Sequence, residues 1–399
     1  MEALLSAKIN QLETSATLAM AAKARALKQQ GKDIIGLSLG QPDFNTPDFI
    51  KDAAIRAVED NYNSYTPVDG YGELKEAIIH KFKRDNNLGF DASQIVVSTG
   101  AKQTLYNIAA AVLNPGDEVI LPCPYWVSYR DIIKLNEGVP IEVKTGIDQD
   151  FKLTPEQLEA NITDKTKMIW YSSPCNPSGS VYTKEELEAL AKVLDKYPDI
   201  LIISDEIYEH INFSEGHVSM ASIDGMKNRT ITVNGVSKAF AMTGWRIGYM
   251  AAPESIAKAC TKLQGQVTSG ANCIAQQATI TALRESPNKI QSMIDIFKER
   301  RKLILDLLGD VPGFETNTPK GAFYVFPNVS AFFGKTINGQ KIQNATDFSF
   351  LILEEAHVAV VTGEAFGNPD CIRISYAASE DNIKTAIQRI KKLVAPAFG

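Results

Sequence analysis

The sequence predicts an α/β protein with a large domain on a mostly parallel sheet and a second, smaller α/β domain. Three observations predict it. The chain has 399 residues, more than one domain of the usual ~100–200 residues needs. From Gln94 to about Val233, short β-branched runs alternate with helical stretches, the rhythm of βα units. A long helical zone from Pro253 to Leu308 then stops at Gly309 and Pro312, where the chain leaves the first domain, and shorter strands and helices follow.

Taken in order, Leu18 to Gln29 reads as helical, and Gly40-Gln41-Pro42-Asp43 as a turn cluster crossing between the domains. Ile95-Val96-Val97 is a strand, Ala101 to Leu113 a helix stopped by Asn114-Pro115-Gly116, and Val119-Ile120-Leu121 and Met168 to Tyr171 are further strands. Thr183 with Glu186 forms a capping box that starts a helix, and Ile200 to Ser204 is a fully buried strand. Beyond a boundary near residue 300 come a strand at Ala322 to Phe326, a helix at Asp347 to Glu355, and strands at Val358 to Val361 and Cys371 to Tyr376. The last helix places Ile383, Ile387, Ile390 and Leu393 on one face. The division is therefore 1–47 as an N-terminal segment joining the small domain, 48–299 as the large domain and 300–399 as the small one.

The formal charge of −6, without a run of Lys or Arg, argues against nucleic acid as a main ligand. Five dispersed cysteines without a C-x-x-C pair predict neither a disulfide framework nor a metal site, and fit a reducing cytoplasm. The Met1-Glu2-Ala3 start lacks a basic-then-apolar leader, and no apolar run approaches the ~18 residues of a membrane span.

The most informative string runs from Asn234 to Gly248. Lys238 stands among small and apolar residues, where burial lowers an amine's pKa and prepares it for carbonyl chemistry. Ser237 and Arg246 bracket it with a hydroxyl and a guanidinium suited to a phosphate, so together they point to a phosphorylated aldehyde cofactor. Asp205 and Tyr208 follow a buried strand directly, at the sheet edge where open α/β folds bind ligands, and a carboxylate there suits a pyridinium nitrogen. Ser173-Pro174-Cys175-Asn176-Pro177-Ser178-Gly179 is a turn whose Asn176 amide is a candidate donor. Ser98-Thr99-Gly100-Ala101-Lys102 joins a strand to a helix whose N-terminus suits an anion. No G-x-G-x-x-G is present, and Gly334-Lys335-Thr336 has Val329 where a P-loop needs glycine. Arg373 lies within an alternating strand, which requires an anionic partner: an internal Asp or Glu, or a ligand carboxylate.

The order Asn176, Asp205, Tyr208, Ser237-Lys238, Arg246, Arg373, with Ser38 to Phe44 and Pro124-Tyr125-Trp126, resembles the class I pyridoxal-phosphate aminotransferases of fold type I, and within them the bacterial and archaeal subgroup of aspartate aminotransferases. The likeness covers nearly the whole chain. It implies a seven-stranded, mostly parallel sheet covered by helices, and pyridoxal 5′-phosphate joined as a Schiff base to Lys238, the base that moves the proton between Cα and C4′. By the same resemblance, Asp205 keeps the pyridine nitrogen protonated, Tyr208 and Asn176 bond the phenolic oxygen, and Trp126 stacks on the ring. Ser237, Arg246 and the backbone at Gly100 and Ala101 hold the phosphate. Tyr65 reaches the phosphate from the neighbouring subunit, which implies a homodimer with shared sites. Arg373 clamps the α-carboxylate beside Gly40, and Lys102 binds the distal carboxylate of aspartate or glutamate, helped by Ser15 and Thr17.

The implied reaction moves the amino group of L-aspartate to 2-oxoglutarate, giving oxaloacetate and L-glutamate. Prephenate or aromatic aminotransfer is the alternative on the same scaffold, and a non-catalytic ligand-sensing module the alternative of another class, disfavoured because every residue for the chemistry is present. Cys175, Ser178 and Gln41 depart from the family's frequent Asn, Thr and Glu without removing a catalytic group. The four histidines have no part in this scheme and read as structural.

Overall fold

Seven strands, six of them carrying β-branched residues, pair into one sheet in the computed structural model, which describes residues 4–10, 12 and 16–398. In chain order they are β1 (Ile95–Ser98), β2 (Glu118–Cys123), β3 (Val139–Lys144), β4 (Thr166–Ser172), β5 (Leu201–Asp205), β6 (Thr230–Gly235) and β7 (Gly248–Ala251). Their spatial order is β1-β7-β6-β5-β4-β2-β3. All neighbours are parallel except β7, which runs antiparallel to both β1 and β6. Six strands therefore finish at the same edge, and β7 starts there. The central strands β5 and β6 are buried almost throughout, as a parallel sheet covered on both faces requires.

The helices that matter for the site are α1 (Ala16–Gln29), α2 (Asp48–Glu59), α3 (Gly72–Asn86), α4 (Ala101–Val112), α5 (Ser128–Leu135), α6 (Lys184–Leu194), α7 (Glu254–Val267), α8 (Cys273–Arg284), α9 (Gln291–Gly309), α10 (Ala345–Glu355) and α11 (Glu380–Val394). The predicted capping box starts α6: Glu186 N–H donates to Thr183 Oγ1, and Thr183 N–H to Glu186 Oε2. The helical zone read from Pro253 to Leu308 is three helices, interrupted by the segment around Gly270 and again near Pro287, residues that weaken or end a helix. Residue 300 lies inside α9.

After α9 come β8 (Tyr324–Val325), β9 (Val361–Thr362) and β10 (Ile372–Ser375), an antiparallel sheet in the order β9-β10-β8. The run expected as one strand from Val358 to Val361 splits. Val358 and Ala359 pair in parallel with Ile35 and Gly36, whereas Val361 and Thr362 pair with Arg373 and Ile372. One apolar cluster continues from Ile50, Leu74 and Phe82 through Phe297 to Tyr324, Val325 and Ile374, so the short sheet is packed against the elements that cover the long one. This continuity fixes where β8 and β10 present their side chains. No helix among the described residues is long and apolar enough to cross a membrane.

Candidate active site

The edge at which the parallel strands end collects the candidate residues. Gly100 and Ala101 follow β1 and open α4, Trp126 follows β2, Asn176 follows β4, and Asp205 is the last residue of β5. Ser237 and Lys238 come two and three residues after β6. Because β7 is antiparallel, its first residue lies at this same edge, which brings Arg246 to it. β10 supplies Arg373 and β8 supplies Tyr324. All of these except Gly100, together with Gly40, Lys102 and Tyr208, line one cavity of about 310 Å³.

Lys238 is half-buried, and its Nζ donates to the Gly40 carbonyl at 2.6 Å. Burial, then the nearby charges of Arg373 and Arg246, bring its pKa down to about 8. Asp205 is pushed up to about 6, chiefly by burial, while a 2.6 Å hydrogen bond from the Tyr129 hydroxyl and a 3.2 Å one from Ile207 N–H oppose that rise. The cavity thus pairs an amine that loses its proton at about pH 8, well below the ordinary lysine range, with a carboxylate that is charged at neutral pH. Such opposed shifts are what proton transfer between groups at one site requires.

Arg373 is buried. Its Nη1 donates to Asn176 Oδ1 at 2.9 Å and its Nη2 to the Ser38 carbonyl at 2.6 Å, while Nε has no partner. The guanidinium lies 4.7 Å from the Tyr324 ring and 4.9 Å from that of Phe366. No carboxylate pairs with it among the described residues, so of the two partners the sequence left open the internal acid is not the one found. A buried cation held by neutral groups alone is an incomplete arrangement until an anion arrives. Lys102 places its Nζ 4.8 Å from the Trp126 ring centre, and burial followed by the Arg246 charge lowers its pKa.

A third cationic corner lies at the start of α4. Gln103 and Thr104 donate back to the Gly100 carbonyl, whereas the N–H groups of Ala101 and Lys102 lie in the first turn, which has no intrahelical acceptor. Gly100 has φ +83°, and a Cβ there would meet Arg246 Nη2 at 2.2 Å. Only glycine lets the guanidinium lie against this turn, in the cavity that Ser237 also lines. The corner fits a phosphate, Asp205 fits a protonated ring nitrogen, Trp126 offers a flat aromatic face, and Lys238 offers an amine for an aldehyde.

Tyr65 is 98% exposed and does not line the cavity of its own chain. Ser15 lies outside the described residues, and of Thr17 only its place in α1 is described. Two site residues escaped the sequence reading. Tyr129 is fully buried in α5 beside Ile132 and Ile133, and Tyr324 lies in an apolar strand, so both read as core; only their hydroxyls, bonded to Asp205 and Tyr208, set them apart. The histidines read as structural stand outside the cavity, His217 against Glu206 at 2.9 Å and His210 against Glu209 at 3.3 Å.

The family model for aminotransferase class I and II matches residues 32–390. An aspartate/prephenate aminotransferase of Nitrosomonas europaea is 47% identical over 98% of this chain and 100% of its own length. A bifunctional aspartate aminotransferase and glutamate/aspartate-prephenate aminotransferase of Petunia hybrida is 44% identical over 97% of this chain and 82% of its own. Among solved structures, the aspartate aminotransferase of Rhizobium meliloti superposes with a TM-score of 0.95 at 42% identity, covering 98% of both chains. That of Thermus thermophilus with maleate gives 0.91 at 39% identity, covering 98% of this chain and 99% of its own.

Proposed function

The chain belongs to the class I and II aminotransferases, and from that premise we propose that it is an aspartate aminotransferase, carrying the amino group of L-aspartate to 2-oxoglutarate by a ping-pong route. The observation that carries this reading is Arg373, a buried guanidinium without an acidic partner among the described residues, in the cavity that holds the Lys238 amine. An α-amino acid offers that pair of groups the carboxylate and the Cα proton they lack. Lys102, in the same cavity, supplies the cation for a second carboxylate, and the maleate of the Thermus thermophilus structure is a dicarboxylate too.

Pyridoxal phosphate, when bound, supplies an aldehyde that condenses with amines and a pyridinium ring that takes up the electron pair left at Cα. The cavity fits it: Ser237, Arg246 and the first turn of α4 would hold the phosphate, Asp205 the ring nitrogen, Tyr208 and Asn176 the phenolic oxygen, and Trp126 the ring face, with covalent attachment through Lys238. Asp205 keeps its charge above pH about 6 and so holds a proton on the ring nitrogen. Lys238, with a pKa brought down to about 8, accepts a proton from Cα and returns it elsewhere without a large free-energy gap. Arg373, held in plane by Asn176 and Ser38, orients the substrate so that its Cα–H faces that amine.

A homodimer belongs to the same reading. Ile55, Val58, Tyr62 and Val267 are exposed apolar side chains that a second copy would cover, and Tyr65 would then reach the partner's phosphate corner. The division into 1–47, 48–299 and 300–399 is proposed with it, α9 serving as the connection. A second reading, that the enzyme also accepts prephenate, is favoured by the names of the Nitrosomonas europaea and Petunia hybrida relatives.

The visible spectrum tests the proposal. Purified protein loaded with pyridoxal phosphate should be yellow, bleach with excess aspartate in the absence of oxo acid, and regain its colour with 2-oxoglutarate. Colour that ignores aspartate but responds to another amino acid would remove the substrate assignment, and a protein that takes up no cofactor would remove the whole reading. Prephenate, offered to the bleached protein in place of 2-oxoglutarate, should restore the colour if the second reading holds.

A further inference from the structure

Tyr324 joins the part of the chain that clamps the substrate to the part that holds the cofactor ring. It is fully buried in β8, with its hydroxyl 2.7 Å from that of Tyr208 and its ring under the Arg373 guanidinium. A Cβ on Gly40 would fall 2.2 Å from the Tyr324 hydroxyl, so the crossing loop approaches it with backbone alone. The carbonyl of that same glycine accepts from Lys238. One phenol therefore touches the carboxylate clamp, the loop that receives the amine, and Tyr208.

Packing does not account for the hydroxyl. Phe323, Val325 and Phe326 beside it are apolar and fully buried, and a phenylalanine would fill the same space. Burying a hydroxyl is unfavourable unless it is bonded, and the bond it makes is to Tyr208. A phenol has one proton to donate. If Tyr208 gives its proton to the phenolic oxygen of the cofactor, its bond with Tyr324 has one remaining direction: Tyr324 donates and Tyr208 accepts. Accepting that bond polarises the Tyr208 O–H and makes it the stronger donor.

We propose that Tyr324 is a positioning residue that orients and polarises the Tyr208 hydroxyl toward the cofactor's phenolic oxygen. The proposal rests on the pyridoxal phosphate reading above and adds a residue to it. Because Tyr324 and Arg373 lie on paired strands, any movement of that sheet alters substrate grip and cofactor electronics together.

The test is a pH titration of the visible band in the loaded protein, with the Tyr324→Phe, Tyr208→Phe and double variants beside wild type. Weakening the donor to the phenolic oxygen favours the protonated cofactor, so Tyr324→Phe should move the midpoint upward by about half a pH unit or more. The same replacement in the Tyr208→Phe background should leave the midpoint where Tyr208→Phe alone puts it, since the effect runs through Tyr208. kcat with aspartate should fall several-fold with little change in KM. An unchanged midpoint in Tyr324→Phe, or an equal shift with and without the Tyr208 hydroxyl, would overturn the proposal while leaving the cofactor reading intact. A wild-type protein with no visible band would overturn both.

Discussion

The Tyr129 hydroxyl donates to Oδ2 of Asp205 at 2.6 Å, and both groups are fully buried where β5 meets the cavity. Burial favours the uncharged carboxyl, whereas a hydrogen bond donated to the carboxylate favours the charged one. The balance leaves Asp205 at about 6, so it is ionised at neutral pH but only by a small margin. Tyr129 supplies that margin.

Tyr129→Phe should therefore raise the pKa of Asp205 further. A hydrogen bond to a charged group is worth about 1.5 kcal/mol, or roughly one pH unit. In wild type, affinity for pyridoxal phosphate should fall as the pH drops through about 6, where Asp205 takes up a proton. In the variant that limb should lie roughly one unit higher. Equilibrium dialysis across pH 5 to 8 reads both limbs, and coincident limbs would show that Tyr129 is packing alone.

Behind the cavity, Glu209 is buried against the Lys81 ammonium and accepts from Asn234 Nδ2 at 2.9 Å and Asn86 Nδ2 at 3.1 Å. Burial pushes Glu209 up, but the charges of Lys81, His210 and His217 outweigh it and hold the carboxyl at about 2. Because this lies below the ordinary 4.5, the group stabilises the fold above that pH and loses its contribution as the pH falls toward 2. Lys81→Met strands the carboxylate and should destabilise the protein by about 3–5 kcal/mol, with much of it restored by adding Glu209→Gln. Urea denaturation at pH 7 measures both variants; a Lys81→Met midpoint equal to wild type would contradict the account.

Much of this site was legible because its chemistry depends on residues at strand ends, and strand ends are visible as β-branched runs followed by turns. Asp205 closes such a run, Lys238 follows one by three residues, and Arg373 stands within one, where its charge is out of place. Tyr129 and Tyr324 were not legible for the opposite reason: a buried aromatic at core spacing looks the same whether or not its hydroxyl is used. α2 and α3 were also missed, since they precede the regular alternation and show their purpose only when packed against α8. The antiparallel direction of β7, which delivers Arg246, depends on pairing between distant segments and has no local signature.

Lys102 carries the substrate preference in our reading. Its amine lines the cavity over Trp126, and a carboxylate there would regain what burial takes from the ammonium. Lys102→Ala should lower kcat/KM for aspartate by about 30- to 150-fold, the worth of a charged hydrogen bond of roughly 2–3 kcal/mol. Alanine and phenylalanine, which have no second carboxylate, should lose far less. Steady-state kinetics on the three amino acids decide the matter, and equal losses would detach Lys102 from specificity.

Lys238 makes the cofactor-free protein less stable than it would otherwise be, in a pH-dependent way. Its ordinary pKa of 10.5 falls to about 8 in the folded chain. Below about 8 the folded and unfolded states both hold the proton, and the folded state bears the whole cost of its partly desolvated ammonium. Between about 8 and 10.5 the unfolded chain holds a proton that the folded one lacks, so stability rises with pH; above 10.5 the penalty is gone. At about 1.4 kcal/mol per unit the shift amounts to roughly 3 kcal/mol, of which the bond to the Gly40 carbonyl offsets about 1 kcal/mol when it is lost. Cofactor-free Lys238→Met should thus be more stable than cofactor-free wild type by about 2 kcal/mol at pH 7, and the gap should close as the pH approaches 10.5. Urea unfolding at matched protein concentration gives the comparison. A gap that persists unchanged at high pH would assign the effect to the shape of methionine rather than to the charge of the lysine, and no gap at pH 7 would mean that the amine is hydrated in the empty site.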